Sequence, residues 1–283
     1  MEGHLAAVST AIWNKKGEYI ISGSFDKTVR LWNPFNGNLV KIYRGHGYQV
    51  VSVDVHHDNS QIASCGGDRQ PFLWDVSTGK VIRKFKGHDH SLNAIRFNKE
   101  CSVLVTGSFD CTAKIWDCRS RSFDPIEVLD TAKDSVDAIL ILEYIIVTGS
   151  RDGKVRQYDL RMGELRTDTI GHPVSSISIS RDENILLVSS LDSTIRTFDV
   201  DDGTMYQSYT GHVNTGFPVK SCFSNTDAFV VSGSENGKLL YWNLEDGKVV
   251  HSCQPHNDVL SYVDFHPDKP YLVSASNDKT IKL

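Results

Sequence analysis

The chain has 283 residues, 23% of them charged and 40% hydrophobic, with a formal net charge of −5. That length exceeds an ordinary single-core domain, and the mild acidity gives no support to wholesale binding of nucleic acid or of an anionic membrane, though a local basic patch stays open. Six cysteines, at 65, 101, 111, 118, 222 and 253, contain no Cys-x-x-Cys pair, which argues against zinc and thioredoxin-type motifs and predicts buried, reduced thiols in an intracellular compartment.

Met1 to Thr10 has no charged segment followed by an apolar run, so no signal peptide is visible. A Gly-His pair then recurs at Gly3-His4, Gly45-His46, Gly87-His88, Gly171-His172 and Gly211-His212, with Pro255-His256 as a variant. About 28 residues after most of these comes an aromatic residue followed by Asp or Asn: Trp32-Asn33, Trp74-Asp75, Trp116-Asp117, Tyr158-Asp159, Phe198-Asp199 and Trp242-Asn243. A double mark repeating every 40–45 residues or so is the sequence signature of WD-repeat propeller blades.

The second repeat shows the local pattern. Val50 to Val55 reads as a β-branched first strand, and Gln61 to Cys65 as a second that enters the turn Gly66-Gly67-Asp68. Phe72-Leu73-Trp74 gives a third strand, with Pro71 acceptable only at its start. Ser77 to Lys80 is another turn, and Val81 to Phe85 alternates as a fourth strand. No segment keeps a helical period, and the longest apolar stretch, Ala138 to Val147, is interrupted by Glu143 and too short to cross a bilayer. The repeats run approximately 3–44, 45–86, 87–129, 130–170, 171–210, 211–254 and 255–283. The fourth has Asp130-Thr131-Ala132 in place of Gly-His. Together they predict an all-β, seven-bladed WD-repeat propeller forming one domain over 1–283, with the seventh blade incomplete. By analogy with Asp26 to Trp32, that blade stops one residue short of its tryptophan, which predicts either a shortened product or a strand donated by a partner.

The recurring polar residues resemble catalytic groups at first sight. They are His4, Ser22, Asp26 and Trp32; His46, Ser64, Asp68 and Trp74; His88, Thr106, Asp110 and Trp116; and, in decayed form, His172 with Asp192, His212 with Ser232, Asn236 and Trp242, and His256 with Ser274 and Asp278. Tyr158 and Phe198 replace Trp in units four and five, and Val188 stands where Ser or Thr is expected. Repetition at the period of the fold is the mark of a structural device, in which Asp orients the imidazole, the imidazole meets Ser or Thr, and the indole N–H finds an acceptor. No catalytic residue, metal site or cofactor site is read from the sequence, and no small-molecule substrate. His88 and His90 lack a third ligand, and His56-His57 are expected on opposite faces of a strand or in a turn. Arg119-Ser120-Arg121-Ser122 reads as an exposed interstrand loop open to phosphorylation or RNA contact.

In a propeller, the loops joining second to third strands and fourth to first strands share one face. Here they carry Phe25, Arg69, Phe109, Arg151, Leu191 and Glu235 from the first set and Tyr48, His90 and Phe217 from the second. Aromatic and arginine side chains around a channel suit a peptide or protein partner.

Several runs are more specific than the repeat marks. Leu31-Trp32-Asn33-Pro34 leads to Gly45-His46-Gly47-Tyr48, and Cys65-Gly66-Gly67-Asp68 follows. Farther on come Trp116-Asp117-Cys118-Arg119-Ser120-Arg121, Tyr158-Asp159-Leu160-Arg161-Met162-Gly163 and Ser189-Ser190-Leu191-Asp192-Ser193-Thr194. Over nearly the whole chain these resemble the family of the mitogen-activated protein kinase organizer, WD repeat domain-containing protein 83. The resemblance implies a seven-bladed, non-enzymatic scaffold for protein partners. These would be components of the extracellular-signal-regulated kinase cascade and spliceosomal proteins in pre-mRNA splicing, in both cytoplasm and nucleus. The other readings are a ribonucleoprotein subunit touching RNA directly and, least supported, a propeller enzyme.

Overall fold

The computed structural model describes residues 1–283. Blade one shows the unit: β1 (Val8–Trp13), β2 (Ile20–Ser24), β3 (Thr28–Trp32) and β4 (Leu39–Arg44) pair antiparallel in chain order. Five more sheets repeat this order with four strands each, and the seventh has three, Leu260–Phe265, Leu272–Ser276 and Ile281–Lys282. Second-repeat strands fall at Val50–Val55, Gln61–Gly66, Phe72–Asp75 and Val81–Lys84, with Pro71 just outside the third, where its missing N–H costs no ladder bond. No residue is helical, so no helix of the protein is long and apolar enough to cross a membrane.

The first two strands of each blade lie between neighbouring blades and are buried on both faces, which explains their near-continuous Val/Ile/Ala runs. Outermost strands are wet; Val249–Cys253 is exposed throughout. The core is therefore a ring of inter-blade clusters, with Trp32, Trp74, Trp116 and Trp242 fully buried as the largest pieces. Glycine sets the blade spacing at two clear points. A Cβ on Gly107 would stand 2.8 Å from the Val136 side chain of the next blade, and one on Gly149 would stand 2.6 Å from Val174. Any larger residue would wedge those blades apart.

The ring closes by contacts between blades seven and one. Ser261 Oγ donates to the Val8 carbonyl at 2.8 Å, and the Trp13 N–H donates to Asp264 at 2.9 Å. Outside the third strand of blade seven, the Met1 amino group donates to the Ile281 carbonyl at 2.5 Å, and the Ile281 N–H donates to the Met1 carbonyl at 3.1 Å. Met1 thus occupies one rung of the ladder on which a fourth strand would pair.

Candidate functional site

The turn between second and third strands is built the same way in every blade. The residue after its Asp or Asn is left-handed: Lys27, Arg69, Cys111, Gly153, Ser193, Gly237 and Lys279 all have positive φ. A carboxylate at the turn can accept the N–H two residues on, as Asp26 does from Thr28 at 3.0 Å and Asp110 from Thr112 at 3.0 Å. Its other oxygen is then free to reach the imidazole.

In blades one to three the expected tetrad forms. His4 Nδ1 lies 2.7 Å from Asp26 and its Nε2 2.7 Å from Ser22 Oγ, to which Trp32 Nε1 donates at 2.8 Å. His46, Asp68, Ser64 and Trp74 repeat this at 2.6, 2.7 and 2.7 Å. His88, Asp110, Thr106 and Trp116 do so at 2.7, 2.8 and 2.8 Å. One arrangement of hydrogens uses every donor once: indole N–H to hydroxyl oxygen, hydroxyl O–H to Nε2, Nδ1–H to carboxylate. It requires a neutral imidazole. Burial lowers the pKa of His4 and of His88 despite the neighbouring carboxylates. Burial also pushes the Asp26 carboxyl upward, but bonds from His4, Thr28 and the Leu5 N–H outweigh it and hold it well below the ordinary range. The hydroxyls of Ser22, Ser64 and Thr106 belong to residues sealed from solvent. Hydroxyls sealed in this way fit a structural network. Blade seven keeps the same triad, His256 to Asp278 at 2.8 Å and to Ser274 at 2.9 Å.

Two of the expected sets do not form. His172 is 56% exposed and 3.9 Å from Asp192, because it stands two residues too close to that turn. Asp192 instead pairs with Arg196 at 2.6 Å, and Asp152 in blade four pairs with Arg156 at 2.6 and 3.2 Å. An arginine four residues after the Asp thus holds the carboxylate where the imidazole is missing, and in blade one Arg30 joins His4 on Asp26 at 3.1 Å. His212 stands two residues too far from Asn236. It is buried, but neither ring nitrogen has a partner, and Trp242 Nε1 donates to the Thr210 carbonyl at 2.9 Å. Ser232 Oγ donates to the Gly233 carbonyl at 3.0 Å; the Asn236 side chain accepts the Lys238 N–H of its own turn at 3.1 Å, and its backbone carbonyl accepts from Gln254, beyond the fourth strand.

The same turns and the loops after the Gly-His positions form one face. Phe25, Tyr48, Phe109 and Phe217 are 50, 61, 53 and 53% exposed there, and His90 stands edge-on to Phe109 with centroids 5.9 Å apart. Phe25, Phe217, Arg151 and Asn277 line the mouth of a central cavity of about 270 Å³, with Arg96, Lys220 and Tyr262 inside. Arg69 is exposed and Leu191 half-buried. Two expected docking residues are already engaged. Glu235 accepts the N–H groups of Thr215, Gly216 and Phe217 at 2.5, 2.6 and 3.1 Å and so fixes the loop that presents Phe217. Arg151 donates to Asp137 at 2.6 Å. Leu5, 78% exposed, and the exposed Val213 add to the apolar face. Each directly follows a Gly-His pair and so belongs to the loop set expected on this face, beside Tyr48, His90 and Phe217. The loop at Arg119 to Ser122 is exposed apart from Ser120, which is half-buried. Three cysteines, Cys65, Cys101 and Cys222, are buried as expected; Cys111 and Cys118 are partly exposed and Cys253 exposed, and none is paired.

Comparison with known proteins agrees with this architecture. The family model described as the IFT122 first beta-propeller matches residues 7–283. WD repeat domain-containing protein 83 of Rattus norvegicus is 42% identical over 269 residues, covering 95% of this chain and 85% of that protein. Its homolog in Dictyostelium discoideum is 32% identical over 313 residues, covering 100% and 96%. An uncharacterized WD repeat-containing protein of Schizosaccharomyces pombe is 40% identical over 270 residues, covering 95% and 91%. With seven blades of the expected order and identity at this level along nearly its whole length, the chain belongs to the WD repeat domain-containing protein 83 family of β-propellers.

Proposed function

We propose that this protein is a non-enzymatic scaffold that gathers protein partners on the face ringed by Phe25, Tyr48, Phe109 and Phe217. The observation that carries this reading is the exposure of four large aromatic side chains on loops of one rigid face, two of which, Phe25 and Phe217, line the mouth of a cavity. Buried polar groups elsewhere have structural work; these rings have little to pack against, and aromatic anchors of this kind dominate binding energy at protein interfaces. Several partners held on one disc raise each other's effective concentration without chemistry. The family resemblance extends the proposal to kinases of the extracellular-signal-regulated cascade and to splicing proteins, with work in both cytoplasm and nucleus. No cofactor is needed for such a role.

The test is affinity capture from cytoplasmic and nuclear extracts, with and without nuclease, using the wild type and a Phe25→Ser/Phe217→Ser variant. Kinases from one extract and splicing proteins from the other, both nuclease-resistant and both depleted by the variant, are expected. Undiminished capture by the variant would refute the docking face. Capture abolished by nuclease would instead favour an RNA-contacting subunit.

A further inference from the structure

The turns that join first to second strands lie at the opposite end of each blade from the docking loops. Five of the seven carry a left-handed residue: Gly17, Asn59, Cys101, Glu183 and Asp227 have φ between 54° and 68°. In several blades this residue's side chain accepts an N–H from the preceding blade. Asn59 accepts from Lys15 at 3.2 Å and Asp227 from Arg181 at 2.8 Å. In blade three the same slot holds a thiol, and Cys101 Sγ accepts the His57 N–H at 3.2 Å. The sequence placed His56 and His57 on opposite faces or in a turn; they sit in the turn, with ring centroids 4.5 Å apart and their planes inclined by 30°. Two imidazoles therefore converge on the sulfur, and the ligand-capable atoms of His56, His57 and Cys101 all lie within 4.8 Å of one another.

We propose that His56, His57 and Cys101 form a zinc site that clips blade two to blade three. Two imidazoles and one thiolate are a borderline-soft set that suits Zn²⁺ better than hard cations, and drawing the three atoms in from within 4.8 Å to roughly 3.3–3.6 Å, a movement open to the exposed His57 ring, reaches tetrahedral spacing. Two further features fit. Asp58 Oδ1 lies 2.6 Å from His56 Nδ1, and an imidazole oriented by a carboxylate is the common support of a metal ligand. The His57 N–H directed at Sγ stabilises a thiolate. His57 is exposed and borders a cavity that Cys101 also lines, with Lys99 and Glu143 on its walls. This leaves an entry path and a fourth coordination position for water. Binding Zn²⁺ releases the Cys101 proton to solvent and changes no oxidation state.

The test uses the untagged, reduced full chain after treatment with a chelator, titrated with Co²⁺ and then with Zn²⁺ against a chromophoric chelator. One equivalent of Co²⁺ should give a near-ultraviolet thiolate-to-cobalt band that Zn²⁺ removes. Cys101→Ser should abolish the band and weaken Zn²⁺ binding by about tenfold or more. His57→Gln, at an exposed side chain, should weaken it comparably with the fold intact, and it decides the matter if Cys101→Ser does not fold. Cys253→Ser should change nothing. Absence of the thiolate band, or wild-type zinc affinity in His57→Gln, would overturn the proposal.

Discussion

Replacing His212 with phenylalanine should stabilise this protein, whereas the same replacement at His46 should destabilise it. His212 is 3% exposed with both ring nitrogens unpartnered, and it already stands edge-on to Trp242 with centroids 5.6 Å apart. Phenylalanine reproduces that geometry without the polar atoms. A buried, unpaired polar group costs about 1–3 kcal/mol, so His212→Phe should gain about 1–2 kcal/mol near pH 7.5. For a chain of this size that is a rise of roughly 2–8 °C in Tm. Burial, against a weaker opposing pull from Asp192, lowers the imidazole pKa from 6.5 to about 4. Between those values the unfolded chain binds a proton that the folded chain refuses. The contribution is thus complete above about pH 6.5, falls as the pH drops, and amounts to about 3 kcal/mol lost by pH 4. The variant's advantage should therefore widen between pH 7.5 and pH 5. At His46 the substitution removes bonds of 2.6 Å to Asp68 and 2.7 Å to Ser64, and should cost about 2–3 kcal/mol. Urea unfolding followed by tryptophan fluorescence at the two pH values measures both. A destabilised His212→Phe, or a gap that does not change with pH, would refute the account of an orphaned imidazole.

Asp68→Ala should cost about 1–3 kcal/mol, since Asp68 holds His46 and accepts the Gly47 N–H at 2.8 Å; an unchanged melting midpoint would defeat the network argument. Arg156→Met should cost about 1–3 kcal/mol by removing the charged partner of the half-buried Asp152, which keeps only the N–H groups of Lys133 and Lys154 and the contact of Ser150, and Asp152→Asn added to it should recover part of the loss, read by the same unfolding curves. Cys253 should be the first thiol to react with a disulfide reagent, while Cys65 and Cys222, fully buried and with thiols pushed far up by that burial, should stay silent until the protein unfolds.

The period of the Gly-His and Trp-Asp marks made the architecture legible, because each blade must restate the same turn and the same buried indole. Strand positions in blade two followed from β-branched runs and glycine turns to within a residue. The polar networks were legible only where spacing held. In the intact units Asp follows His by 22 residues and Ser or Thr by 18, and a shift of two residues at His172 and His212 moves the ring out of reach. Residue identity alone hid that slip. The arginine partners were equally invisible, since nothing in the repeat marks sets Arg156 and Arg196 apart, and only the fold puts them beside the turn carboxylates. Glu235 was assigned to partners because its loop is outward, yet three N–H groups of the loop ahead of Phe217 claim its carboxylate.

These departures share a cause. The repeat fixes backbone geometry, above all the left-handed residue after each turn Asp or Asn and, in five blades, the one between first and second strands, and it leaves side chains free so long as most buried donors and acceptors are met. Imidazole, guanidinium or both therefore serve as partners of one carboxylate, while oxygen and sulfur exchange as acceptors of one inter-blade N–H. Individual function must then reside where a slot is filled in a way its neighbours do not share. Two places meet that condition: the loop that Glu235 holds to present Phe217 at the channel mouth, and the sulfur of Cys101 between two imidazoles at the other end of the blades. Because they lie on opposite faces, loss of zinc binding in His57→Gln should leave partner capture intact, and Phe25→Ser/Phe217→Ser should leave zinc binding intact. If each variant impaired both, the two faces would have to be coupled through the blades, and the picture of a rigid disc would fail.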